Sequence, residues 1–319
     1  MPENPSAPTS SNAGATTKPL SKGQVFVRRL SSTLALWAIV LTASFSPNRF
    51  IANQVFLLLM IGLAGIGLWE FYGLVERRGL LCFKGWGLFG GVLLMASTFF
   101  YLTQYLPELT TYSRLPSKAN DFENSVLILF VLGLCVRQFL SPKNPDGLLA
   151  ISTTLFGLMY VPWLLNFIQK INFFPGVDGR YYVLYFIAVT KFSDVGAYCV
   201  GSLIGRHKMI PRISPGKTWE GFGGAIAVSA GASLLIQQIA GHHLAGLRIV
   251  DAVILGVVLS SAAVLGDLIE SLFKRQSGVK DSGKLFPGIG GMLDLLDSLL
   301  FNAPLMYLYL RHVLTHPGH

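Results

Sequence analysis

The chain has 319 residues, 52% hydrophobic and 13% charged, with a formal charge of +9 and a mean hydropathy of +0.54. A soluble domain carries roughly 25% charged residues, so an ordinary soluble two-domain protein is excluded and a polytopic membrane protein is the natural class. No basic helix interleaved with exposed aromatics stands out, so the positive charge is read as cationic loops facing anionic lipid headgroups and substrates, not nucleic acid.

Residues 1–22, rich in Pro, Ser, Thr, Asn and Ala, lack apolar periodicity and read as a disordered tail. Arg28 and Arg29 then precede an apolar run over 30–46, which has a poor cleavage-site pattern and is taken as an uncleaved first helix. Further candidate spans lie near 51–74, 82–102, 125–140, 147–169, 181–200, 220–240, 247–268 and 294–313. Each is close to the roughly 20 residues that cross a hydrocarbon core. The expectation is an all-α polytopic protein of about nine transmembrane helices. It divides into the tail, N-terminal helices over 23–180, and a C-terminal catalytic region over 181–319 with charged loops at 201–219 and 269–293.

With the N-terminus inside, the cytosolic loops hold seventeen lysines and arginines and the opposite loops seven, Lys170 among the seven. That bias predicts N-in, C-out, with both charged loops on the cytosolic face, where nucleotides are found. Cys82, Cys135 and Cys199 fall in or beside apolar runs without paired spacing and read as packing residues. Gly201 and Gly205 form a small-xxx-small pair that lets helices approach closely.

Charge reappears in the last apolar segments, between Lys191 and Ser298. A carboxylate at membrane depth needs a partner or a job. Lys191 and Asp194, three apart, share a helix face and can neutralise each other. Ser214-Pro-Gly-Lys-Thr-Trp-Glu-Gly221 reads as a loop entering a helix, with Ser214 or Thr218 as cap and Lys217 as a point charge for phosphate. Gly216-Lys217-Thr218 is not a Walker A end, because Pro211 stands five before Gly216 and no strand is expected ahead of it.

Asp267, Glu270 and Lys274 fall on one helical face, and Asp294 and Asp297 repeat the spacing on the next helix. Facing helices with carboxylates at their ends make an oxygen-rich site suited to Mg2+ and a nucleotide phosphate. Gly288, Gly290 and Gly291 would let backbone approach a phosphate at the start of the last helix. The blander reading is a solvated acidic cap on each helix. Glu70, near the end of the second span, reads as a helix-end acid outside the site.

Gly-Asp-Leu-Ile-Glu-Ser-Leu-Phe-Lys-Arg from Gly266, Val-Lys-Asp-Ser-Gly from Val279 and Pro-Gly-Ile-Gly-Gly-Met-Leu-Asp-Leu-Leu-Asp-Ser from Pro287 resemble the signature of the phosphatidate cytidylyltransferases, the CDP-diacylglycerol synthases. Ser-Asp-Val-Gly-Ala-Tyr and Ser-Pro-Gly-Lys-Thr-Trp-Glu-Gly match the same family's upstream pattern, so the close resemblance covers about 190–300. It implies transfer of CMP from CTP to phosphatidic acid with release of pyrophosphate. By position it implies Asp267 and Asp294 as acids of a magnesium centre with an accompanying potassium ion. Asp297 and Asp281 would support them. Lys217, Lys274, Arg275 and Lys280 would hold phosphates, Ser214 and Thr218 would donate hydrogen bonds, and Asp194 would line the substrate site. Pairing into a homodimer would suit the resemblance. Two positions depart from it: Ile289 stands where the family has His, and Leu295 where it has Arg.

The competing readings are a CTP-dependent enzyme acting on another lipid phosphate or alcohol, a non-catalytic paralogue, and an ion-coupled transporter using Lys191 and Asp194. Against transport, the charges gather at one face and no inverted halves are evident.

Overall fold

A computed structural model of the chain describes Ala38, Leu41, Thr42 and residues 45–105, 115–140, 146–283 and 290–314. The expected first span at 30–46 lies almost wholly outside these residues, and Gly288 and Ile289 lie wholly outside them. The regular structure of the described residues is helical apart from one small hairpin, as befits an all-α polytopic membrane protein.

The helices follow the apolar runs because inside a bilayer every backbone amide must be satisfied within its own segment. They are α1 (Arg49–Arg77), α2 (Lys84–Phe100), α3 (Leu115–Phe139), α4 (147–172), α5 (Gly179–Ile204), α6 (Trp219–Ala240), α7 (Ile249–Gln276) and α8 (Met292–Tyr309). The Asn48 side chain caps α1 by accepting from the amides of Phe50 and Ile51 at 3.0 and 3.3 Å. Helix α4 runs through a π-helical turn, Met159–Trp163, at Pro162, where the ring removes one amide donor and the ladder loosens.

Among the described residues, seven helices (α1 to α7) are long and apolar enough to cross a membrane. The count of about nine is not reached among the described residues, which leave out most of the first expected span. The last predicted span, 294–313, does form a helix, α8, continued by a π turn at Leu310–Leu314. It is not among the seven. Leu293, Leu296, Leu300, Ala303 and Met306 are at most 1% exposed, and α8 packs against α7, α4, α1 and α5. Because α8 is the central helix, its two aspartates are enclosed by protein on most sides.

Helices α5, α6 and α7 form the tightest group. Lipid tails are as apolar as leucine, so close backbone approach and interhelical hydrogen bonds hold such helices. The glycines show this: a Cβ on Gly256 would sit 2.6 Å from Ala230 Cα, and one on Gly221 3.2 Å from Gly201 Cα. The Ser193 and Ser260 hydroxyls meet at 2.8 Å, and Ser229 Oγ donates to the carbonyls of Val189 and Gly256 at 3.2 and 3.1 Å. Ser260→Ala is expected to lower stability by about 0.6 kcal/mol, typical for one interhelical bond. Reversible unfolding in mixed detergent, with activity per folded molecule unchanged, checks this.

Two local expectations are corrected. The stretch into α6 is not a plain loop: Lys208–Ile210 (β1) and Ser214–Thr218 (β2) pair antiparallel, Lys208 opposite Thr218 and Ile210 opposite Ser214. A strand thus ends at the Gly-Lys-Thr segment, where none was expected, because the chain turns at Pro211–Ile213 and its backbone groups pair across the turn. Lys170 is not an exposed loop residue either. It lies in the last turn of α4, 3% exposed, and forms an ion pair with Glu123 of α3. Asn166 Nδ2 donates to the same glutamate at 2.7 Å, and Asn120 bridges Lys170 and the Tyr307 hydroxyl at 3.1 and 3.3 Å. Tyr307 stands thirteen residues beyond Asp294 on α8, so this polar knot is about 20 Å from the acids.

Candidate active site

Helix α5 brings Lys191 and Asp194 to one wall of a cavity of about 690 Å³. Their side chains form the i, i+3 ion pair that the spacing predicts, at 3.3 Å and half exposed. Tyr198 continues the same stripe, 76% exposed. The β1–β2 hairpin forms the next wall. Ser214, Gly216, Lys217 and Thr218 all line the cavity. Thr218, not Ser214, caps α6, accepting from the Gly221 amide at 3.1 Å. Glu220 in the first turn of α6 accepts from the amides of Arg206 and His207 at 3.1 and 3.2 Å, which holds the hairpin's entry against the helix.

The last turns of α7 supply the floor. Lys217 reaches across from the hairpin to Asp267, 2.8 Å away, and donates to the Val264 carbonyl at 3.1 Å. Ser271 Oγ donates to the other oxygen of Asp267 at 3.2 Å. Oxygens of Asp267, Glu270 and Asp297 lie within 4.8 Å of one another. Glu270 is fully buried, and although Lys274 is in ion contact with it, neither of its oxygens has a well-directed hydrogen-bond donor. Three carboxylates this close repel one another unless a proton or added positive charge lies among them. Oxygen-only donors converging from three carboxylates, one of them fully buried, fit a hard divalent cation. This is the arrangement's clearest chemical capability.

Asp294 stands beside Glu270, with which it shares Lys274, and has donors of its own. It accepts from Lys274 at 2.5 Å, from the Ser282 amide and hydroxyl at 3.2 and 3.0 Å, and from the Gly291 amide at 2.7 Å. Both Asp294 and Asp297 line the cavity. Asp297 and Glu270 join Asp267 in one carboxylate group, and Asp294 organises the segments beside them. Glu270 was not singled out as a ligand from sequence, although its i, i+3 relation to Asp267 was the available signal.

The start of α8 carries Gly290 and Gly291, and not Gly288, among the described residues. Its first amides are already taken: Gly291 gives its N–H to Asp294, and Met292 and Leu293 give theirs to Glu70 at 3.0 and 2.9 Å. Gly290 has φ +115, which favours glycine, and a Cβ there would stand 2.7 Å from Asp294 Oδ2. Gly290 and Gly291 thus admit carboxylates to the backbone. Glu70 is likewise not a plain helix-end acid. It is 8% exposed and serves α8 from another helix.

The remaining basic residues divide. Arg275 donates through Nε to the Ile213 carbonyl at 3.2 Å, tying the hairpin turn to α7. Lys280 is exposed and does not line the cavity, whereas exposed Asp281 does. Leu295 packs against the apolar core.

The family model described as "Cytidylyltransferase family" matches residues 32–313. YnbB of Escherichia coli (strain K12), an uncharacterized protein, is 39% identical over 159 residues, 50% of this chain and 51% of its own. A phosphatidate cytidylyltransferase of Staphylococcus epidermidis is 44% identical over 133 residues, 42% of this chain and 50% of that one. For these two, the chain spans about half the length of the curated relative it matches. A phosphatidate cytidylyltransferase of Staphylococcus haemolyticus is 33% identical over 249 residues, covering 72% of this chain and 95% of the relative.

Proposed function

Given that the chain belongs to the cytidylyltransferase family, we propose that it transfers CMP from CTP to phosphatidic acid, giving CDP-diacylglycerol and pyrophosphate at the cytosolic face of the inner membrane. The observation that carries this reading is the convergence of Asp267, Glu270 and Asp297 beside a cavity rimmed by lysines. The relatives named phosphatidate cytidylyltransferase support the choice of substrates. The placement of basic residues supports the orientation. Among the described residues, Arg77, Arg78, Lys84, Arg206, Lys208, Arg212, Lys217, Lys274, Arg275 and Lys280 belong to the cavity's end of the bundle, and fewer stand at the other.

Phosphatidate is already a nucleophile near neutral pH, so no strong general base is required. One of its phosphate oxygens attacks the α-phosphorus of CTP. As that P–O bond forms, the bond from the α-phosphorus to the bridging oxygen breaks, and pyrophosphate leaves with the electron pair. The difficulty is bringing two polyanions together and accommodating the leaving charge, which positioning and electrostatics supply. A divalent cation, Mg2+ in this reading, would be held by Asp267 and Asp297 with Glu270 and would neutralise phosphate charge. Lys217 and Lys191 present ammonium groups to the cavity, Lys217 paired with Asp267, which a bound cation would also engage, and Lys191 paired with Asp194. Lys274 is committed to Glu270 and Asp294 and holds the acids in place. The hairpin, tied by Arg275 and joined to α6 through the Thr218 cap, keeps Lys217 over the site.

The full chain in phospholipid nanodiscs with Mg2+ and labelled CTP should form a CMP-lipid with phosphatidate and release one pyrophosphate per product. No lipid product from phosphatidate, with turnover of a lipid alcohol or another lipid phosphate, would transfer the reading to that acceptor. No consumption of CTP with any acceptor would end it.

A further inference from the structure

Glu70 lies on α1, more than two hundred residues before the segment it serves. Its side chain is 8% exposed and accepts from the Ser282 hydroxyl at 2.9 Å, the Met292 amide at 3.0 Å and the Leu293 amide at 2.9 Å. Those two amides are among the orphan donors of the α8 N-terminus, whose dipole also favours an anion. Among the described residues no lysine, arginine or histidine forms an ion pair with Glu70. The chain is shaped to admit it: a Cβ on Gly283 or on Gly291 would collide with the Glu70 carboxylate. Ser282 places its hydroxyl against Glu70 and Asp294 at once, at 2.9 and 3.0 Å. Asp294 in turn receives Lys274, which also holds Glu270. An unbroken chain of contacts therefore runs from α1 to the acid cluster.

We propose that Glu70 is a positioning residue for the reaction. It acts as a cap for α8 supplied from α1, setting the register of Ser282, Asp294 and Lys274 and through them the geometry of the acids. The N-terminal half then contributes more than membrane anchoring, since it supplies the clamp that ties Ser282 to the start of α8. The kinetic half of this role rests on the cytidylyl-transfer reading, whereas the capping half does not.

Glu70→Gln tests both halves in the full chain. The amide keeps the size but can offer only one carbonyl oxygen to three donors, and its NH2 opposes one of them. Hydrogen exchange at the Met292 and Leu293 amides, read by mass spectrometry in nanodiscs, should accelerate about 10-fold or more, in keeping with loss of bonds to a charged acceptor. Exchange along α1 should stay unchanged. CMP transfer should fall about 30-fold in kcat with the KM for CTP moving less than about 3-fold, the pattern of lost transition-state alignment. Ser282→Ala, which removes one hydroxyl, should give the same pattern about 5-fold weaker. Combined with Glu70→Gln it should add little. Unchanged exchange at Met292 and Leu293 overturns the cap. Accelerated exchange with full kcat overturns the positioning role. If Glu70→Gln does not fold, Ser282→Ala decides alone, and unchanged exchange and kcat there overturn both halves. A wild-type chain that makes no CMP-lipid removes the transferase reading and leaves the exchange result standing.

Discussion

Asp297→Asn is expected to lower CMP transfer by about a hundred- to a thousand-fold, the scale on which removal of one organised charge at a reacting centre is felt. The reason is its position. Asp297 and Asp294 stand three residues apart on α8, but Asp297 alone joins Asp267 and Glu270 within 4.8 Å. Its Oδ1 accepts from the Ser298 amide and hydroxyl at 2.5 and 3.0 Å, which fixes the carboxylate toward the other two. The same substitution removes one of three mutually repelling charges, so the metal-free protein should be no less stable, and its thermal midpoint should hold or rise. Titration of Mg2+ or Mn2+ against that midpoint should show metal binding weakened at least about 10-fold, as for loss of a metal-organising group. Asp267→Asn should act alike on activity, but it also releases Lys217 and so should lack the gain in stability. Asp294→Asn is the contrast. It should loosen Ser282 and Lys274 while leaving metal affinity closer to wild type. Metal binding weakened by Asp294→Asn and untouched by Asp297→Asn would move the cation to the position the family resemblance assigns.

Lys274→Met should destabilise the protein by about 3 kcal/mol, since removing one partner leaves buried charge uncompensated. Lys274 is the ammonium group in contact with both Glu270, fully buried, and Asp294. Its loss should also reduce kcat by about a hundred-fold or more, because Asp294 and Ser282 lose their anchor. Lys274→Arg should not restore activity, as a planar guanidinium cannot occupy the position of a compact ammonium between two carboxylates. The double variant Lys274→Met/Glu270→Gln should regain most of the lost stability while remaining inactive. A divalent cation should stabilise Lys274→Met more than it stabilises wild type, since it can neutralise the abandoned glutamate. Equal stabilisation of both by Mg2+ would argue against a cation near Glu270. Thermal unfolding with and without metal gives the comparison directly.

The two substitutions probe opposite ends of one network, and Glu70 lies beyond Asp294 on the same path. Asp267, Glu270 and Asp297 gather charge, Lys274 divides it between α7 and α8, and Ser282 passes the restraint to α1. A site of this kind sits at the ends of rigid helices, where small shifts at one member reach the others.

Composition and periodicity alone determined that this chain is a bundle of membrane helices. In a bilayer only closed hydrogen-bonding segments survive, and apolar runs of sufficient length have few other choices. The local pairs were legible for a similar reason: three residues along a helix is a fixed geometry, so Lys191 and Asp194 meet, and Asp267 and Glu270 share a face. Tertiary packing decided the rest. The spacing of Asp294 and Asp297 is the same whichever way α8 is rotated, and only its seating among α1, α4 and α7 turns Asp297 toward the acids and Asp294 toward Lys274. Glu70 carries no local mark at all, because the amides it satisfies belong to a helix brought beside it by folding. The Glu123–Lys170 pair was hidden likewise, since a loop-edge lysine and a buried one look identical until the neighbouring helix closes over them.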